Sequence, residues 1–388
     1  MRRIYLDYTA TTPVDPQVFE EMKSYFMEKC GNPSSIHKYG QEAKAAIEES
    51  RDIIAGYIGA APGELFFMSS GTESNNTAIK GLAPKLKALG KNHIITSKVE
   101  HHAVLESCEY LSEQGFDITY LDVDEFGVVN LEQLKNSITS RTGLISIMFA
   151  NNEVGSINPV AQIGAIAKSR GILFHTDAVQ AFGKIPVNIN ELNVDLLTIT
   201  AHKLYGPKGI GALYVRKGVE LEKLMHGGGQ ERGRRAGTES PALIVGFAKA
   251  AQIAHDLMQT ESDKILKLKQ RLKSKIENEF PFAIFNGHPI QSLPNILNVS
   301  FDSKKIKIDG EALILNMDLE GIAVTSGSAC TSGSVKPSHV LLAMGRNVET
   351  AQATIRFSFG RFTTEEEVDF AFDVLKKTIN RIGEMSNG

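Results

Sequence analysis

From about residue 40 to about residue 255, short apolar runs alternate with stretches of helical periodicity, and this alternation restricts the fold more than any other feature of the chain. The apolar runs fall at residues 65–68, 94–96, 118–121, 144–149, 172–175 and 196–199. They are of strand length and mostly lack the polar alternation of a strand with one wet face. Residues 42–58 place Ala43, Ile47, Ser50 and Ile54 along one helix face, and residues 164–168 are helical in pattern. Strands buried on both faces and separated by helices predict an α/β fold with a mainly parallel sheet covered on both sides. In such sheets a ligand sits beyond the carboxyl ends of the strands. Asp177, Thr200 and Asn151-Asn152 each follow a strand-like run, so all are expected to face one crevice.

Beyond residue 260 the pattern changes. Ile265, Leu268, Leu272 and Ile276 form an apolar stripe among lysines and glutamates, which predicts a long surface helix over residues 261–280 leading into a smaller α+β domain. At 388 residues the chain is long enough for both domains. Lys and Arg number 42 against 45 Asp and Glu, a net charge of −3, which argues against nucleic acid or an anionic membrane surface as the main partner. No apolar run reaches membrane-spanning length and the first residues carry no signal-like apolar stretch, so a cytoplasmic protein is expected. Cys30, Cys108 and Cys330 are scattered and odd in number. That pattern speaks against a disulfide framework or a cysteine zinc site, and no intrinsic metal is expected.

The chemistry concentrates in Thr200-Ala201-His202-Lys203-Leu204-Tyr205-Gly206-Pro207-Lys208-Gly209, downstream of His175-Thr176-Asp177-Ala178-Val179-Gln180. A lysine after an apolar run can lose its proton and act as a nucleophile. A carboxylate closing another apolar run suits a basic ring nitrogen. Together they fit pyridoxal phosphate, with Lys203 bonding the aldehyde, Asp177 pairing with the ring nitrogen and Gln180 bonding the ring oxygen. Thr200 and His202 offer donors to the phosphate. Ser69-Ser70-Gly71-Thr72-Glu73-Ser74-Asn75 follows a strand-like run and opens a helical stretch, an anion site or a plain N-cap. In Glu100-His101-His102, His101 could lie on the ring and move protons, or be ordinary hydrogen-bonded structure. Arg356 sits in an apolar strand-like setting and needs an anion: a substrate carboxylate, or a structural ion pair. The basic, glycine-rich segment of residues 226–238 could reach an anion across a subunit boundary, or be a solvated turn. Cys330 lies in the small, polar run Ser326-Gly327-Ser328-Ala329-Cys330-Thr331-Ser332-Gly333-Ser334, which predicts a mobile loop suited to a travelling nucleophile. Cys30 and Cys108 read as structural residues in helical settings.

With these residues in view, the chain resembles the cysteine desulfurases of the NifS/IscS kind, within the class V aminotransferase-like pyridoxal phosphate enzymes. The resemblance runs from Tyr5-Leu6-Asp7-Tyr8-Thr9-Ala10-Thr11-Thr12-Pro13 through Gly31-Asn32-Pro33-Ser34-Ser35, Asn151-Asn152-Glu153-Val154-Gly155, the lysine motif and His226-Gly227-Gly228-Gly229, and ends near Arg361-Phe362-Thr363-Thr364. It implies a fold type I homodimer with a seven-stranded, mainly parallel sheet. The large cofactor-binding domain would span residues 13–260. Residues 1–12 and 261–388 would form the small domain carrying the Cys330 loop. It implies that Lys203 holds the cofactor, that His101 stacks on it and that Asp177 pairs with its nitrogen. Asn152 and Gln180 would lie near the ring oxygen. Gly71, Thr72, Thr200 and His202 would hold the phosphate, with Thr238 arriving from the other subunit. Arg356 would grip the carboxylate of L-cysteine, with Asn152 also against substrate. Cys330 would take the sulfur as a persulfide and leave L-alanine.

Three positions depart from the family pattern: Ser70 and Ala201 stand where glycine is usual, and Thr200 where serine is frequent. Each keeps a donor or is small, so altered phosphate geometry is expected rather than lost binding. The resemblance leaves open whether the sulfur goes to an iron–sulfur scaffold, a tRNA-thiolating enzyme or a nitrogen-fixation partner, and whether Cys330 ligates a transient cluster with such a scaffold. Two other readings compete: a class V aminotransferase or selenocysteine lyase, and a non-catalytic assembly protein.

Overall fold

The computed structural model describes residues 3–327 and 336–386. Its strands in chain order are β1 (Ile4–Tyr5), β2 (Leu65–Met68), β3 (His93–Ser97), β4 (Asp117–Leu121), β5 (Thr142–Ser146), β6 (Leu173–Asp177), β7 (Leu196–Thr200), β8 (Gly211–Val215), β9 (Ala283–Asn286), β10 (Ile296–Phe301), β11 (Ile322–Ala323) and β12 (Thr354–Ser358). Seven of them form the main sheet in the order β2-β8-β7-β6-β5-β3-β4. Only β8 runs antiparallel to its neighbours, β2 and β7. The central strands β3, β5, β7 and β8 are buried at every position, which is why β3, β5 and β7 read as apolar runs without alternation.

Every predicted strand is present. The run at 144–149, however, ends as a regular strand at Ser146, although the Ile147 and Phe149 N–H groups still donate to the His175 and Asp177 carbonyls of β6. The helix predicted over 261–280 is the second half of one 39-residue helix, Pro241–Glu279. Its first half packs Ile244, Phe247, Ala250, Ala251 and Ala254 into the core beside the main sheet. Its second half sends Ile265, Leu268, Leu272 and Ile276 into a separate core, together with Ile4, Leu6, β10, β12 and the helix that begins at Glu365. The stripe is therefore an interior face, and the lysines and glutamates between are the wet side.

Cys108 lies fully buried in the helix His102–Glu113, where burial pushes its thiol up to about 12. Cys30 departs from expectation. It is exposed and lies past the end of the helix Pro16–Met27. The chain has to leave the helix there because it next passes the Tyr39 carbonyl so closely that a Cβ on Gly31 would lie 2.1 Å from its oxygen.

Candidate active site

The carboxyl ends of β2, β6 and β7 open onto one cleft of about 500 Å³. Its floor is set by the turns that follow these strands, as expected for an open α/β sheet. The short turn Ala201–Lys203 follows β7 directly and aims Lys203 inward. Ala201 is fully buried, and a Cβ on Gly206 would come within 2.7 Å of the Ala201 methyl. In this chain the methyl at 201 thus occupies the space that glycine at 206 leaves. Between them Tyr205 takes a left-handed φ of 64°, a conformation a bulky residue adopts only when its surroundings enforce it. The surroundings here are the Arg361 guanidinium, 4.4 Å from the ring centroid, and the Arg361 N–H bonded to the tyrosine oxygen.

The Lys203 ammonium donates to the carbonyls of Thr9, at 2.6 Å, and Ala10, at 2.7 Å. Burial, and then the charge of Arg356, push its pKa down to about 8, against opposition from Asp7 and Asp177. Roughly a tenth of it is then free amine at pH 7, several hundred-fold more than for an ordinary lysine. Asp177 ends β6 with its carboxylate buried; Oδ2 accepts from Asn75 Nδ2 at 2.6 Å and Oδ1 from the Val179 N–H at 3.0 Å. Gln180 is buried and donates from Nε2 to the Thr9 carbonyl. His202 borders Thr11 Oγ1 through Nδ1, and burial pushes it down to about 4, so the imidazole is neutral. His101 caps the helix His102–Glu113 by accepting from the Ala103 N–H, and its pKa is lowered first by burial.

Ser70 caps the 18-residue helix Gly71–Ala88, its hydroxyl accepting from the Glu73 N–H. The first-turn N–H groups of Gly71 and Thr72 have no intrahelical partner, and both residues line the cleft. A Cβ on Gly71 would meet Val179 Cγ2 at 2.9 Å, so the glycine keeps this corner open. Opposite, β12 brings Arg356, only 4% exposed, to the cleft wall. Its Nη1 donates to the Asn152 carbonyl and its Nη2 pairs with Asp7, while Nε has no partner among the described residues.

The structure thus gathers Gly71, Thr72, His101, Asn152, Asp177, Gln180, Thr200, His202, Lys203 and Arg356 around one cleft. Two details differ from the sequence reading. The Thr200 hydroxyl is already donating to the Ile210 carbonyl, so it faces the cleft as an acceptor. Arg356 has both a site-facing position and a structural ion pair, where the sequence reading held these apart. Thr238 is exposed and lines a neighbouring groove rather than this cleft. Cys330 lies outside the described residues. Asn75, Asp7 and Thr9 were missed, because nothing in their local sequence marks partners as distant as Arg356.

Comparison with known proteins places this geometry. The model of the aminotransferase class-V family matches residues 4–370. Cysteine desulfurase IscS of Dictyoglomus turgidum is 50% identical over 385 residues, covering 99% of this chain and 96% of that protein. Cysteine desulfurase IscS of Methanosarcina thermophila is 47% identical, covering 99% of this chain and 94% of that protein. A solved NifS-like protein superposes with a TM-score of 0.91 at 42% identity, covering 98% of this chain and all of the other. The structure of SspA in complex with cysteine gives a TM-score of 0.81 at 38% identity, covering 93% of this chain and all of the other.

The chain belongs to the class-V aminotransferase family, a class of pyridoxal phosphate enzymes. Its activity within that class is that of a cysteine desulfurase. The residues present fit the cofactor. Asp177 is a buried carboxylate with no cation in ion-pair contact among the described residues, suited to a protonated ring nitrogen. The Gly71 corner admits an anion at a helix N-terminus, and Lys203 offers a depressed amine between them.

Proposed function

We propose that this chain converts L-cysteine to L-alanine and leaves the sulfur as a persulfide on Cys330, with its site residues in the following roles. Lys203 would hold the cofactor through its aldehyde, and its amine would move the substrate's α-proton. Bound pyridoxal phosphate supplies the electron sink that stabilises charge at the α-carbon. Asp177 keeps a proton at the ring nitrogen, held in place by Asn75. Gln180 and Asn152 would hold the ring oxygen, and His101 would hold the ring. Gly71, Thr72 and His202 would hold the phosphate, and Thr200 would join them by turning its hydroxyl from the Ile210 carbonyl. Arg356 binds the substrate carboxylate, with its Asp7 partner fixing the guanidinium. The Cys330 thiolate attacks the substrate sulfur: an S–S bond forms, the C–S bond breaks with its electron pair passing to carbon, and carbon is protonated to give alanine.

The observation that carries this reading is the Lys203 amine, depressed to about 8 and placed between Asp177 and Arg356 in one cleft. Mass spectrometry of Cys330 after incubation with L-cysteine tests it. A gain of one sulfur on that peptide is expected, absent in Cys330→Ala; sulfide release by Cys330→Ala without added thiol would contradict it.

The same reading divides the chain into a large domain, 13–260, and a small domain of 1–12 with 261–388. The separate core that joins Ile4 and Leu6 to residues beyond 264 supports the division. It takes the protein as a homodimer in which Thr238 completes the partner's phosphate site. Supporting this, Thr238 is exposed and does not line its own cleft, and Phe26, Met27, Ile36 and Tyr39 leave apolar surface uncovered. The sulfur acceptor would be a protein such as an iron–sulfur scaffold. An exposed free thiol at Cys30 suits a reducing, cytoplasmic setting. Among the described residues no helix is long and apolar enough to cross a membrane.

A further inference from the structure

Behind the cleft lies a second, much smaller cavity, and Lys203 lines both. The smaller one is bounded on its other side by Lys184, four residues past Gln180. Lys184 is half-buried, yet no carboxylate lies within ion-pair distance of it among the described residues. Its ammonium instead donates to the Gln180 carbonyl at 3.1 Å and meets Gln180 Oε1 at 3.5 Å. The other end of that amide, Nε2, donates to the Thr9 carbonyl, which also accepts from Lys203. A carboxamide has one accepting and one donating end. Lys184 can face only the oxygen and the Thr9 carbonyl only the nitrogen, so the two together allow one orientation of Gln180.

We propose that Lys184 is a positioning residue for the reaction: it locks the Gln180 amide and, through it, the Thr9 carbonyl that seats Lys203. The proposal rests on Lys203 being the cofactor lysine. Like charges sharing a partly dry region each disfavour the other's protonation. Burial and then Lys203 push Lys184 down to about 7, below Lys203 itself, so Lys184 gives up its proton first and is largely neutral where Lys203 titrates. The other charged groups facing the pair are Arg356, Asp7 and Asp177 around Lys203, with His202 beside it. Glu261 and Arg361 stand across the small cavity, paired with each other. None of these bonds Gln180, so Lys184 alone carries the orienting role.

The test uses the full-length, cofactor-loaded protein in three forms: wild type, Lys184→Met and Lys184→Arg. The readout is the pH midpoint of the bound cofactor's absorption change. Releasing the Gln180 amide should loosen the Thr9 carbonyl that accepts from Lys203 and lower that midpoint by at least about half a pH unit, and the arginine, which still donates to Gln180, should restore most of it. A Lys184→Met midpoint superimposed on wild type overturns the proposal. Lys184→Leu repeats the removal of the donor with a different shape, so a poorly folding Met variant does not leave the question undecided. Borohydride trapping in the same samples separates the two ideas. A tag on Lys203 with an unmoved midpoint sinks the role of Lys184 alone, whereas a tag elsewhere sinks the assignment of Lys203.

Discussion

Asn75 donates a 2.6 Å hydrogen bond from Nδ2 to the Asp177 carboxylate, across 102 residues of sequence. Both side chains are buried, and the Asn75 oxygen has no partner among the described residues. The bond holds the carboxylate against rotation where the cofactor nitrogen is to meet it. Asn75→Ala frees it and leaves a buried carboxylate short of a donor, a loss of about 1–3 kcal/mol. Cofactor affinity, followed by absorbance titration, should fall about tenfold or more while the fold persists in circular dichroism. Unchanged affinity would remove Asn75 from the site.

Gly71→Ala adds a methyl 2.9 Å from Val179 Cγ2, with Thr198 and Thr200 close behind. Val179 is β-branched and stiff, so the methyl displaces the helix start rather than the valine. Phosphate binding at that N-terminus should weaken. Free inorganic phosphate should then compete less well with the cofactor than in the wild type, as read by displacement titration.

Glu100 bears on stability. Its side chain is fully buried; one oxygen accepts from Ser97 and from the Met148 N–H, and the other has no partner among the described residues. Burial, with Asp177 adding to it, pushes its pKa up to about 8 from an ordinary 4.5. Between those values the folded protein holds a proton that the unfolded chain releases. Stability therefore falls as pH rises through that window, by at most about 1.4 kcal/mol per pH unit. Glu100→Gln, neutral throughout, should flatten the slope in denaturant melts. A slope equal to wild type would mean the carboxyl is ionised.

Arg356→Lys keeps a charge but loses the planar fork that reaches Asp7 and the Asn152 carbonyl together. The KM for L-cysteine should rise by about tenfold or more, with a smaller effect on cofactor absorbance. Equal losses in both would assign Arg356 to holding the fold.

Much of this was legible in the sequence for a simple reason: strands buried on both faces leave continuous apolar runs. The run at 65–68 coincides with β2, and those near 118 and 196 fall one residue short of β4 and β7. β8 escaped because Gly209 and Gly211 made its start resemble a bent loop. The first half of the helix Pro241–Glu279 escaped because it is apolar around most of its surface and shows no stripe. Within the site, Lys203, Asp177 and His101 were readable from where they follow strands. Asn75, Asp7 and Lys184 were not, since their meaning lies in contacts made across the fold. Ile4 pairs with Ile322, and no local pattern announces a two-residue strand that joins the chain's beginning to its last third.

Two lysines beside the cleft have depressed amines, Lys203 at about 8 and Lys184 at about 7, and only one can carry the aldehyde. Borohydride reduction of the cofactor-loaded protein, followed by peptide mass spectrometry, decides between them. The cofactor mass is expected on Lys203 alone. A tag on Lys184, or an untagged digest from protein saturated with pyridoxal phosphate, would contradict the site as described.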